Sequence, residues 1–132
     1  MSEMQVPESL QAFCRAFASK DADQTAALFD PKGVCELPLI GQRLVGRREI
    51  QIGFLRAFSV IDSCSILARS VRSSAGGTIA EGRLRAKVRR DPDPIEAALA
   101  AVLIEEAGRI ARLSFYFDAA PFRSWCDGPI FG

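Results

Sequence analysis

The chain has 132 residues, 17 Lys plus Arg against 16 Asp plus Glu, and no histidine. That length suits one domain with one sizeable core, taken here as residues 1–132, and a net charge of +1 gives no electrostatic case for nucleic acid or an anionic membrane. Without histidine there can be no Ser-His or Cys-His nucleophile and no His-ligated metal, so any acid-base chemistry must use carboxylates, Tyr, Cys or Lys.

The first residues, Met1-Ser2-Glu3-Met4-Gln5, carry neither a basic region nor an apolar run, so no secretory leader is expected and the cytoplasm is the expected compartment. Cys14, Cys35, Cys64 and Cys126 are dispersed with no Cys-x-x-Cys spacing, which predicts free thiols rather than zinc or a redox pair. Neither a metal nor a cofactor is expected.

Pro7-Glu8-Ser9 opens an amphipathic helix with Leu10, Phe13, Cys14 and Phe17 at helical spacing. Asp21 or Asp23 caps a shorter second helix carrying Thr25, Ala26, Leu28 and Phe29, which Pro31-Lys32-Gly33 ends. Val34 to Leu37 reads as a short strand before Pro38, and Gly41 and Gly46 bracket a loop. A third helix, Arg47 to Phe58, carries Ile50, Phe54, Leu55 and Phe58 as its buried stripe. The period then becomes alternating, predicting strands at about Ile61 to Arg72, Thr78 to Arg90 and Ile95 to Glu106, with a last one from Gly108 to Asp118. In that last strand Ala111, Leu113, Phe115 and Phe117 share the apolar face, and Ile110, Arg112, Ser114, Tyr116 and Asp118 the other. Asp118 is expected to cap the turn from Ala119 to Trp125. Helices followed by three hairpins in series give an α+β fold with a curved antiparallel meander of four strands.

This order resembles the nuclear transport factor 2-like superfamily, and within it the SnoaL-like group. The resemblance is carried by Leu10 to Phe29 with its Asp21 turn, by Val45-Gly46-Arg47-Arg48-Glu49-Ile50, and by Gly108-Arg109-Ile110 through Tyr116-Phe117-Asp118. It implies a cone-shaped sheet wrapped around the N-terminal helices, an apolar cavity open at one end, and a homodimer through the outer sheet face.

The isomerase members that the chain resembles use a tyrosine and two aspartates, at positions matching Phe13, Leu37 and Ala100 here; all three are apolar. The epoxide-hydrolase members use a strand aspartate that falls on Phe115. Both chemistries are therefore unexpected. A polyketide-cyclase-like reaction would need a pocket carboxylate, and Glu81, with Arg83 beside it at spacing two, is the remaining strand candidate; Glu36 is a second. The row Glu81, Arg83, Arg85, Lys87, Arg89 reads equally as a solvated outer face.

Phe13, Phe17, Leu37, Phe54, Phe58, Ala100, Val102, Leu113, Phe115 and Phe117 are the expected pocket lining. The reading is a binder of a small, mostly apolar molecule, with polyketide-cyclase-like acid-base chemistry left open. The alternatives are a non-catalytic interaction or scaffolding module, and a hydratase or isomerase using Glu81 or Glu36.

Overall fold

The computed structural model describes residues 5–89, 91–118 and 120. Helix α1, Glu8–Ala18, begins where Pro7 fixes φ at −54° and its carbonyl accepts from the Gln11 amide at 3.0 Å. Glu8 in its first turn and Arg15 in its last complement the helix dipole, and Leu10, Phe13, Ala16 and Phe17 form its buried stripe. Helix α2, Ala22–Ala27, is capped by Asp21, whose carboxylate accepts from the Gln24 amide at 2.9 Å. Helix α3, Gly46–Ser59, buries Ile50, Phe54, Ala57 and Phe58. Leu55, expected in that stripe, is 60% exposed: five residues after Ile50 the helix has turned it to the far side.

The strands are β1 Phe29–Leu37, β2 Gln42–Val45, β3 Ile61–Ser74, β4 Gly77–Val88, β5 Ile95–Glu106 and β6 Arg109–Phe117. They form one sheet in the order β2-β1-β6-β5-β4-β3. From β3 to β6 it is the expected antiparallel meander, but β1 adds to β6 in parallel and β2 pairs antiparallel with β1. The sheet therefore has six strands and is mixed, where four antiparallel strands were expected. Pro31 and Gly33 disguised β1. The register shift between Phe29 and Val34 absorbs them, and a side chain on Gly33 would sit 2.9 Å from the carbonyl oxygens of Asp30 and Ile110. β2, at four residues, is too short to show an alternation.

Burial alternates along the long strands. Ala80, Leu84 and Ala86 of β4, Ala97, Leu99, Ala101 and Leu103 of β5, and Leu113, Phe115 and Phe117 of β6 are buried on the inner face against the helices. Ile110, expected on the opposite face, is fully buried, and its amide donates to the Leu28 carbonyl at 3.0 Å. The register shift between Ile104 and Glu105 interrupts the alternation at this point. Asp118 accepts from the Ala120 amide at 3.0 Å, as its expected turn-capping role requires; the rest of that turn, with Phe122, Trp125 and Cys126, lies outside the described residues. Among the described residues no helix is long and apolar enough to cross a membrane.

Candidate functional site

Phenylalanines from three elements meet inside the sheet. The Phe13 ring lies 6.1 Å from Phe17, 5.8 Å from Phe54 and 5.3 Å from Phe115, centroid to centroid, and Phe58 closes the group at 5.7 Å from both Phe17 and Phe54. A cavity of about 40 Å³ remains beside these rings. Of the expected lining, Phe13, Phe17, Leu37, Phe54, Phe115 and Phe117 are brought together around it. Four further residues complete the wall: Ala57, Ile66, Leu84 and Leu99.

Four expected lining residues lie elsewhere. Phe58 and Leu113 are buried in the surrounding core. Ala100 and Val102 are half-buried on the outer face, because the pairing of Ala101 with both Ala80 and Phe115 turns the odd-numbered residues of β5 inward.

No charged side chain points into the cavity from the described residues. Glu81 and Arg83 are exposed on the outer face, in line with Arg85, which pairs with Glu96 at 3.2 Å, and Lys87, which pairs with Asp62 at 3.1 Å. Glu36, next to the inward Leu37, also points outward. Its side chain is 17% exposed and is held by Arg112, by Arg43 at 3.7 Å and by the buried Ser114 hydroxyl, which donates at 3.4 Å. That carboxylate is engaged on the side of the sheet opposite the cavity.

The three described thiols, Cys14, Cys35 and Cys64, are held protonated at neutral pH. Burial, reinforced by the neighbouring Glu36 charge, pushes Cys35 up to about 12. Burial also pushes Cys64 up to about 11, partly offset by Lys20, and raises Cys14, partly offset by Arg15. The Cys64 thiol donates to the Phe17 carbonyl at 3.1 Å. Among the described residues no group of His, Cys, Asp and Glu could hold a metal ion. What the arrangement can do is hold an uncharged apolar guest, since its wholly apolar wall offers a charged one no partner.

The sequence pattern of the SnoaL-like domain matches residues 10–113. The chain belongs to that family. Among solved structures, this SnoaL-like chain is similar to a hypothetical protein with a ketosteroid isomerase-like fold from Catenulispora acidiphila, crystallised with trimethylamine. The identity is 17%, 96% of this chain and 97% of that one are covered, and the TM-score is 0.84. It is also similar to an epoxide hydrolase of M. tuberculosis (18% identity, 89% and 86% covered, TM-score 0.74) and to a candidate polyketide cyclase of Sinorhizobium meliloti (19%, 83% and 94%, 0.68). At these identities the likeness shows the nuclear transport factor 2-like fold and leaves the chemistry to this chain's own residues. No curated protein matches the chain.

Proposed function

We propose that this SnoaL-like domain binds a small, uncharged, mostly apolar molecule inside its cone and does so without acid-base catalysis. The observation that carries the reading is the cavity beside Phe13, walled by apolar side chains from both helices and sheet, with Glu81, Arg83 and Glu36 all directed to the outer face. A structural relative of the same fold was crystallised with a small molecule, trimethylamine. A polyketide-cyclase-like reaction would need a carboxylate within reach of the bound molecule, and none of the three candidates provides it. Xenon NMR, with an apolar atom of the cavity's own size, tests the reading: a saturable xenon shift that is lost in Ala57→Trp supports it. An equal shift in both proteins contradicts it and favours an interaction module whose cone is occupied by its own phenylalanines.

We propose further that the chain forms a homodimer through the outer sheet face. Leu67, Ile79 and Tyr116 are exposed there at 60%, 55% and 40%. Glu81 and Arg83 stand side by side with no ion pair to another described residue, an arrangement that a twofold axis could pair across copies. Ile79→Arg should convert a dimeric sedimentation profile to a monomeric one. Three free cysteines, Cys14, Cys35 and Cys64, support a reducing compartment such as the cytoplasm.

A further inference from the structure

Every residue that walls the cavity beside Phe13 is apolar, and all but the half-buried Ile66 are buried. Its volume of about 40 Å³ sets a scale for the guest. An apolar cavity of about 150 Å³ admits benzene, which has six carbons, and so allows about 25 Å³ for each heavy atom. On that scale about two heavy atoms fit beside Phe13. A second void, of about 20 Å³ between the sheet and Leu10 and Cys14 of α1, falls short of the room for one. The packing of the wall holds this limit. Phe13 meets Phe17, Phe54 and Phe115 at 6.1, 5.8 and 5.3 Å, and Phe17 meets Phe54 at 6.4 Å, so these wall rings rest on one another. None of them can move aside without displacing the next. Leu84 and Leu99 are fixed by the β4–β5 ladder, where they pair with Ala97 and Gly82. Forcing extra volume into such packing is destabilising.

We propose that the ligand of the cone is a dissolved apolar gas of about two heavy atoms, the largest guest that the cavity beside Phe13 takes without repacking its wall. The inference rests on apolar binding in the cone and adds the size class of the ligand. Size alone would also admit methanol. Its hydroxyl, however, would be buried against apolar side chains without a hydrogen-bond partner, which costs free energy, whereas an apolar gas brings no polar group to desolvate.

The test is NMR of the full chain under methane, ethane, propane and butane, and with methanol. It reads saturable shifts of the Leu84 and Leu99 methyl signals, with Leu103, buried outside this wall, as the reference. Where space is unlimited, each added methylene raises affinity about fourfold. Here the rise should hold from methane to ethane and then stop, so that propane and butane bind no tighter than ethane, while methanol binds about tenfold or more weaker than ethane. Leu99→Ala widens the cavity and should let the rise continue to butane. Should that variant fail to fold, the alkane series on the unaltered protein decides by itself. Affinity that goes on rising to butane in the unaltered protein, a folded Leu99→Ala in which the rise still stops at ethane, or methanol bound as tightly as ethane overturns the gas-sized site and leaves binding in the cone standing. If no alkane shifts Leu84 or Leu99 saturably, both proposals fall.

Discussion

The ring of Phe13, on α1, and the ring of Phe115, on β6, lie 5.3 Å apart and tilted by 36°. Phe13 is fully buried, and the same ring also meets Phe17, Phe29 and Phe54, so one helix residue ties the sheet to two helices. Phe13→Ala should therefore cost about 3–5 kcal/mol in denaturant unfolding, the range for deleting a buried ring. Phe13→Leu should cost less than half of that.

Gly82 offers a different kind of test, because its constraint is close backbone approach rather than lost contact. Gly82→Ala should destabilise by about 1–3 kcal/mol or more, since the Leu67 carbonyl belongs to the β3 backbone and cannot swing aside like a side chain. The equivalent change at Gly108, whose Cβ would meet nothing within 4 Å but whose φ is +77°, should cost about 1 kcal/mol through backbone strain alone. Thermal unfolding of the two variants measures the difference.

Glu36 and Glu81 separate structure from catalysis. Glu36→Gln removes the charge that Arg43 and Arg112 share and should lower stability by about 1 kcal/mol or less. Glu81→Gln should stay within about 0.5 kcal/mol. Neither should alter the affinity of an apolar probe, because both side chains face away from the cavity; a tenfold loss in either would place a carboxylate in the binding site after all.

The buried thiols make stability fall as the pH rises through their range. Cys35 loses its proton near pH 9 when unfolded and near 12 when folded, so above pH 9 the unfolded chain releases a proton that the folded one keeps. Its contribution is fully present below pH 9 and is lost as the pH rises through 12, at up to about 1.4 kcal/mol per pH unit. Unfolding measured from pH 8 to 11 should therefore show a shallower alkaline decline in Cys35→Ala than in the unaltered protein.

Much of the fold was legible because its long elements are strongly periodic. The helix stripe of Leu10, Phe13 and Phe17 and the row Leu113, Phe115, Phe117 identify their inner faces directly. β1 and β2 were not so legible, since Pro31 and Gly33 carry turn chemistry inside a strand whose parallel partner, β6, lies about eighty residues on in a register that local sequence does not encode. In β5 the run Ala97-Ala98-Leu99-Ala100-Ala101-Val102-Leu103 is apolar on both faces, so alternation could not tell which of Ala100 and Ala101 points inward. The pairing of Ala101 with Phe115 decides it. The apolar character of the positions matching the isomerase site survives this correction, because Leu99 and Ala101 on either side of Ala100 are apolar too.

The most direct measurement is a crystal structure of the protein under xenon pressure, because xenon enters dry apolar cavities and ignores charged surfaces. The account predicts a xenon atom among Phe13, Phe54, Leu99 and Phe117, the side chains that wall the larger cavity. Xenon confined to the protein surface, with the phenylalanines closed on one another, would contradict binding in the cone.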